Sequence, residues 1–420
     1  MKKNKKNILQ RLTDVQVDIL LGLVLLLGVA VFYYFQWAYY LTGLEGSKVN
    51  IDQPDRYFWW ANDSRSYRSA ADWLMGLGSN ISISRRPWLY PLMLGLFRSI
   101  FGGGAEDGLW IAQFLMWLGS GALIYMSIRN TTRSNFLGMA GGGFFFSHPS
   151  PLILTFHGMT ETLNVLLISA FCWVLTSGAK HRLYIAILLI ALATVTKPIY
   201  VAFLIVVVVY TLFRVKTTAI KQAGLIALLL MPIWIQLFLS FIAAGTPTLS
   251  TIGSHTFKNY LVADVYIRTE ETEWRETMAL IKDWDLGQQL TYLWEHQRTT
   301  LLTVRSHLID SNLWVGSFFT LGAGNRMTEF AVTMNSFATF AHLIMMPLVL
   351  YYLLSKKYVA NKETIALLYT CFVLQFLTSF ISSGQDDRLM ITALPLWIIA
   401  YATLLSGVGS AAPKRGRKAN

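Results

Sequence analysis

The chain has 420 residues, of which 54% are hydrophobic and 14% charged, against about a quarter charged in ordinary globular domains. That composition excludes a soluble globule, and apolar runs of the ~20 residues a spanning helix needs recur along almost the whole length. The formal charge of +12 does not mark a nucleic-acid binder, because the basic residues sit in short segments between apolar runs and at both termini, where the positive-inside rule places them.

The chain opens with MKKNKKNILQR and an apolar run to Phe35 that ends in the aromatics FYYFQWAYY. The run is long for a signal h-region and no small-residue cleavage site follows, so it reads as an uncleaved first span. Further spans are expected near 109–128, 135–148, 158–176, 183–196, 199–213, 221–242, 336–354, 363–382 and 389–406, after a first at 17–37. Pro198 suits a helix start, since its missing N–H would be an orphan there. Cys172 and Cys371 both fall in apolar runs and read as packed thiols, without support for a disulfide framework or a metal cluster.

With the N-terminus inside, the inner segments are MKKNKK, RNTTR, GAKHR, RVKTTAIKQ, SKKYVANK and PKRGRKAN, all of them basic, while the alternate segments hold nearly all the Asp and Glu. The expected fold is therefore all-α: a polytopic membrane protein of about ten transmembrane helices with both termini cytoplasmic and with interfacial helices on the outer side. It divides into a transmembrane core 1–242 with a first outer loop 38–108, an external helical segment 243–335, and closing spans with a basic tail, 336–420. In the first outer loop RSAADWLMGLG is helical in pattern, and RRPWLYPLMLGLFRSIFGGG reads as a helix lying in the interface. In the second, Trp274, Trp284 and Trp294 recur every ten residues, about three helical turns, so the indoles could share one face. That face either rests amphipathic helices on the membrane or forms a lid over a groove.

On the expected outer side lie Asp63 in NDSRSY, Arg85 and Arg86 in SRRPWLYP, and His157 and Glu161 in TFHGMTETL. Lys197 in TVTKPIY and Asp386, Asp387 and Arg388 in SGQDDRLM share that side. Ionisable groups beside apolar spans are costly and are functional candidates by default. Each also has a structural explanation. Asp63, beside the aromatic patch YFWW, is a helix N-cap or loop acid on one reading and a carboxylate base on the other, with burial among Trp59, Trp60 and Tyr67 tending to raise its pKa. Glu161, one turn after His157 on the same helical face, is favoured by the helix dipole or orients a basic partner or substrate. Lys197 snorkels or binds phosphate, Arg388 has the same two readings, and the neighbouring aspartates pair with Arg388. One His and one Glu are too few ligands for a metal.

Taken in order, NDSRSYRSAADWLMGLG, RRPWLYPLMLGLFRSIFG, HPSPLILTFHGMTETLNVLL, ATVTKPIY and GQDDRLMITALPLW resemble the GT-C superfamily of membrane glycosyltransferases. The likeness is to the bacterial polyprenyl-phosphate-sugar-dependent branch related to protein O-mannosyltransferases and lipid A aminoarabinose transferases. It covers the first half and the final spans; the segment 243–335 matches nothing specific. The resemblance implies a glycosyltransferase in the bacterial inner membrane that moves a sugar from a polyprenyl-phosphate donor to a glycan, lipid or protein hydroxyl on the periplasmic face, with inversion. It implies Asp63 as catalytic base and Arg85 or Arg86, Glu161, Lys197 and Arg388 as substrate-binding residues; His157, one turn before Glu161, and Tyr67, whose ring could stack on a sugar, join them as candidates from their position in the sequence. Where protein O-mannosyltransferases often show an Asp-Glu pair in the first loop, this chain has Ser64 after Asp63, which departs from a two-acid mechanism. The first loop also lacks an Asp-x-Asp, so no metal requirement or other cofactor is expected. Two rival readings are a lipid-linked-saccharide transporter and a polysaccharide ligase or polymerase with a diphosphate-linked donor. The former usually shows inverted repeats and charges at mid-bilayer; neither is visible here.

Overall fold

The computed structural model describes residues 62–78, 81–215, 218–309, 326–354, 362–381 and 388–410, with isolated positions 19, 22, 26 and 30. Among the described residues the regular structure is all helix, joined by short turns and loops, and no strand occurs. Most of the expected first span, and with it Trp59 and Trp60, lies outside them, as do Asp386 and Asp387.

The main helices are α1 (Asn62–Leu74), α2 (Leu89–Phe101), α3 (Ala105–Thr132), α4 (Asn135–Ser147), α5 (Glu161–Thr176), α6 (Arg182–Thr194), α7 (Val201–Arg214), α8 (Ala219–Leu229) and α9 (Met231–Ala244). The external segment adds α10 (Ala263–Glu270), α11 (Trp274–Leu280), α12 (Leu286–Glu295) and α13 (Gln297–Leu308). α14 (Arg326–Leu354), α15 (Lys362–Thr378) and α16 (Leu394–Ser410) close the chain. The expected spans after the first fall on helical segments, with 221–242 divided between α8 and α9 and 389–406 between the turn Arg388–Ile391 and α16. Length sets a stricter test. Three helical runs are long and apolar enough to cross a membrane, Leu89–Thr132, Val332–Leu354 and Lys362–Ile381, or four if the pair α8 and α9 is one span bent by 56°. Pro232 stands in the first turn of α9 at that bend, where a missing N–H and a fixed φ explain a kink. The helices at 161–176, 182–194, 198–214 and 394–406 are apolar but shorter.

α5 is the centre of the bundle: Leu163, Val165, Leu167, Ile168, Phe171, Cys172, Val174 and Leu175 are all buried on it. It packs against α3, α6 and α16, while α16 also lies on α3 and α15. Small residues let the helices approach, as in membrane bundles generally. A Cβ at Gly121 of α3 would collide with the Phe146 ring, which stands edge-on to Trp117 with centroids 4.8 Å apart.

α2 is a helix separate from α3 and folds back on it at the 3-10 turn Gly102–Gly104, where Gly102 has φ 53°: Tyr90 Oη donates to Gln113 Oε1 at 3.0 Å, and a Cβ at Gly108 would press on the Phe97 and Phe101 rings of α2. Its start is fastened to α9: Trp88 donates from its indole to the Pro232 carbonyl (3.0 Å) and from its backbone to Gln236 Oε1 (3.0 Å). The buried Gln236 amide in turn donates to the Ile83 carbonyl (3.1 Å).

In the external segment the three tryptophans do not share a helical face. A turn at 281–285 separates α11 from α12, so the ten-residue spacing does not run along one axis. Trp284 packs inside a small core with Leu261, Val262, Ile281, Leu293, Tyr266 and Tyr292, whereas Trp274 and Trp294 are exposed.

The Gly121 contact makes a test. Gly121→Val should lower the melting temperature of the detergent-purified protein, by the 1–3 kcal/mol typical of overpacking, and adding Phe146→Leu should recover much of the loss. Equal melting temperatures for wild type and Gly121→Val would contradict this packing.

Candidate functional site

The site is assembled from helix ends. Asp63 lies in the first turn of α1. Arg86 follows the 3-10 turn Ile81–Ser84, whose carbonyls are tied to α9 through Gln236 and, at Ser82, accept from the backbone N–H of Arg85 and Arg86. Glu161 is the first residue of α5, where the dipole favours an acid. Lys197 is extended (φ −143°, ψ 108°) just ahead of Pro198, as a residue before proline must be. Pro198 opens the turn into α7. Arg388 begins a short helical turn, Arg388–Ile391, that leads into α16.

These five side chains form one row of alternating charge. Arg86 Nη2 reaches Asp63 Oδ1 at 2.8 Å and Arg388 Nη1 reaches Asp63 Oδ2 at 3.1 Å. Arg388 Nε donates to Glu161 Oε1 at 2.7 Å, and Lys197 Nζ lies 3.4 Å from the same oxygen. Three cations against two anions leave one positive charge in excess. Glu161 is fully buried and the Arg86 and Arg388 side chains are 8% exposed, while Asp63 is 41% exposed. Glu161 Oε2 has no hydrogen-bond partner among the described residues, so the carboxylate is neutralised by cations on one of its oxygens.

Arg86 is held on three more sides. Its Nε donates to Ser66 Oγ (2.7 Å), its Nη1 approaches Tyr67 Oη (3.3 Å), and its guanidinium carbon lies 4.6 Å from the centre of the Tyr67 ring, a cation–π arrangement. The sequence left Arg85 and Arg86 interchangeable; the structure separates them. Arg86 joins the row, and the exposed Arg85 faces the adjoining cavity.

That cavity, about 410 Å³, is lined by Asp63, Tyr67, Arg85, Arg86, Lys197 and Arg388 on its charged side. Pro87, Pro198, Ile199, Val201, Ala202 and Ile381 supply apolar wall, and Ile252, Gly253, His255, Thr256 and Tyr260 come from the external segment. Glu161 and His157 are not among its lining residues. Glu161 stands behind Lys197 and Arg388 and sets their positions. His157 is buried in extended backbone after the turn Leu154–Phe156, so it does not share a helical face with Glu161; its carbonyl accepts from the Gln113 amide at 3.0 Å.

The expected upward pKa shift of Asp63 is also corrected. Burial does raise it, but the charges of Arg388 and Arg86 outweigh burial and hold the carboxyl below the ordinary carboxylate range. His255, Thr256, Tyr260 and Thr196 were missed in the sequence. The first three belong to a segment with no recognised motif, and a histidine in GSHTFKNY carries no signal of its own. Among the described residues no three His, Cys, Asp or Glu side chains gather as a metal shell, and Asp63 is the one carboxylate among the described residues lining this cationic cavity.

Two measurements follow. Glu161→Gln strands two buried cations and should destabilise the protein by about 3–5 kcal/mol, read as a large fall in melting temperature; a near-neutral change would refute the buried row. Because the folded pKa of Asp63 is depressed, its pairing stabilises the fold above the unfolded value near 4, and that contribution is lost as pH falls through the folded value. The stability gap between wild type and Asp63→Asn should therefore be widest at neutral pH and close in acid; a gap that widens in acid would reverse the assignment. Compared with known proteins, the chain has no match: no family model, no curated protein and no solved structure matches it.

Proposed function

We propose that this protein is a membrane glycosyltransferase that moves a sugar from a polyprenyl-phosphate donor to a hydroxyl group, at a site on the external face of the bacterial inner membrane. The observation that carries this reading is the cavity wall of Arg85, Arg86, Lys197 and Arg388 facing apolar surface, with Asp63 between two of the guanidiniums. An anionic head on an apolar chain is the ligand such a wall fits, since guanidinium forks match phosphate oxygens and the ammonium adds a point charge.

The proposed architecture has ten spans with both termini inside, the shorter apolar helices crossing as parts of a bundle that supplies their partners. Helix ends assigned to one side of the membrane do meet. Thr131 and Thr403 are bonded at 2.8 Å and Arg214 pairs with Glu363 at 3.0 Å on the expected inner side, opposite the ends that form the charged row.

The charged row suggests how donor and base are coupled. In the resting state both Asp63 oxygens accept from guanidiniums, which makes Asp63 a weak base. A donor phosphate competes for Arg86 and Arg388, and as they turn to it Asp63 is released and its pKa rises. Asp63 then accepts the proton of the acceptor hydroxyl while that oxygen bonds to the anomeric carbon. The carbon–oxygen bond to phosphate breaks with its electron pair, and the cations stabilise the charge that develops on the leaving phosphate. In-line attack inverts the anomeric configuration.

The decisive experiment supplies nanodisc-embedded protein with polyprenyl monophosphate sugars, polyprenyl diphosphate saccharides and a hydroxyl acceptor. Transfer from the monophosphates is expected, with Asp63→Asn lowering kcat at least about 100-fold while the protein stays folded. Turnover from diphosphates alone would shift the assignment to a ligase or polymerase, donor translocation without bond cleavage to a transporter, and undiminished kcat in Asp63→Asn would remove the base.

A further inference from the structure

We propose that His255, on the cavity wall built by the external segment, is the acceptor-binding residue: its imidazole N–H donates to the oxygen of the acceptor hydroxyl, which leaves the hydroxyl proton directed to Asp63. This rests on the transfer reading above and assigns the acceptor side of the same cavity.

The cavity has two chemically different walls. The cations come from the connection between α1 and α2, from the α6–α7 junction and from the start of the 388–391 turn. The external segment contributes no Asp, Glu, Lys or Arg to the lining; it brings His255, Thr256, Tyr260 and Ile252. The one cation among residues 252–260, Lys258, is turned elsewhere, donating to the Lys282 carbonyl at 2.6 Å. An anionic donor partitions to the cationic wall, which leaves the neutral, hydrogen-bonding wall to the hydroxyl substrate.

The neutral wall is fixed in register with the charged one. Thr251 N–H donates to the Ser84 carbonyl (2.9 Å) and Ser250 Oγ to the Arg85 carbonyl (2.6 Å). The short helix Ile252–Thr256 therefore starts from the same peptides that carry the two arginines. It runs into a π-helical turn, Phe257–Val262, which holds Tyr260; such turns are rare and frequent at functional sites. The Asn259 amide lies 2.8 Å from His255 Nε2 and 3.1 Å from Nδ1 and steadies the ring edge.

The charged groups around the imidazole favour its neutral form. Burial comes first, then the positive charges of Arg85, Lys258 and Arg86, with Asp63 acting the other way; together they hold its pKa below the ordinary histidine value. The neutral ring accepts from the Asn259 amide on one nitrogen and carries its proton on the other, which is the donor to the acceptor hydroxyl.

The test uses nanodisc-embedded full-length protein, the polyprenyl monophosphate sugar that it turns over, and an alkyl glycoside as acceptor, with transfer and donor hydrolysis by water measured side by side. His255→Ala should raise the acceptor KM about tenfold, the loss of one hydrogen bond, and leave the donor KM and hydrolysis unchanged. His255→Gln, which keeps an N–H donor, should recover part of the loss. An unchanged acceptor KM in His255→Ala, or an equal rise in donor KM, overturns the assignment while the transfer reading stands. A wild type inert toward every donor overturns the transfer reading, and this one with it.

Discussion

The structure depends on how three cations and two carboxylates are kept together beneath an apolar bundle. Taking any one of them out of water alone would cost several kcal/mol, and the alternating row Arg86, Asp63, Arg388, Glu161, Lys197 is the arrangement that gives each a counter-charge. Arg388 is the hinge of that row, because it alone touches both acids. Through it the starts of α1 and α5 are joined to the turn that leads into α16, helices more than 200 residues apart in sequence.

The surplus positive charge gives the row its chemical meaning. A network closed on itself would be purely structural; this one ends in Arg86 and Lys197 at an open cavity, with Arg85 beside it and Asp63 partly exposed. An incoming anion therefore meets cations whose present partners are carboxylates that it can replace. The same exchange that binds a phosphate changes the basicity of Asp63, so binding and activation share one set of contacts. The scaffold behind them is stiff for a reason: Gln236 and Trp88 fix the Arg86 turn to α9, and the strap at Ser250 and Thr251 fixes the external wall to the same turn.

Much of this could be read in the sequence, and the failures are specific. Apolar runs located the helices after the first, and Pro198 was placed at a helix start because its missing N–H would be an orphan there. Topology gathered Asp63, Arg86, Glu161, Lys197 and Arg388 on one side, and they do meet. The indole spacing misled, because the turn at 281–285 interrupts the axis along which the spacing was counted. Placing His157 and Glu161 on one helical face failed similarly: the chain is extended at His157 and α5 begins at Glu161. The pKa of Asp63 was misjudged in direction because its aromatic surroundings are visible in sequence and its two arginine partners, 23 and 325 residues away, are not.

The sequence by itself determined that the chain is helical and apolar enough for a bilayer, and which ionisable residues stand at helix ends, since hydropathy and charge placement are local properties. Only the tertiary structure decided that Asp63 is a guanidinium-bound carboxylate within a cavity, that Arg86 and not Arg85 binds it, that Glu161 works from behind the wall, and that His255 of the external segment lines the same cavity. Each of those is a distance between residues far apart in the chain, set by the packing of α5 against α3, α6 and α16 and by the docking of the external segment on the arginine turn.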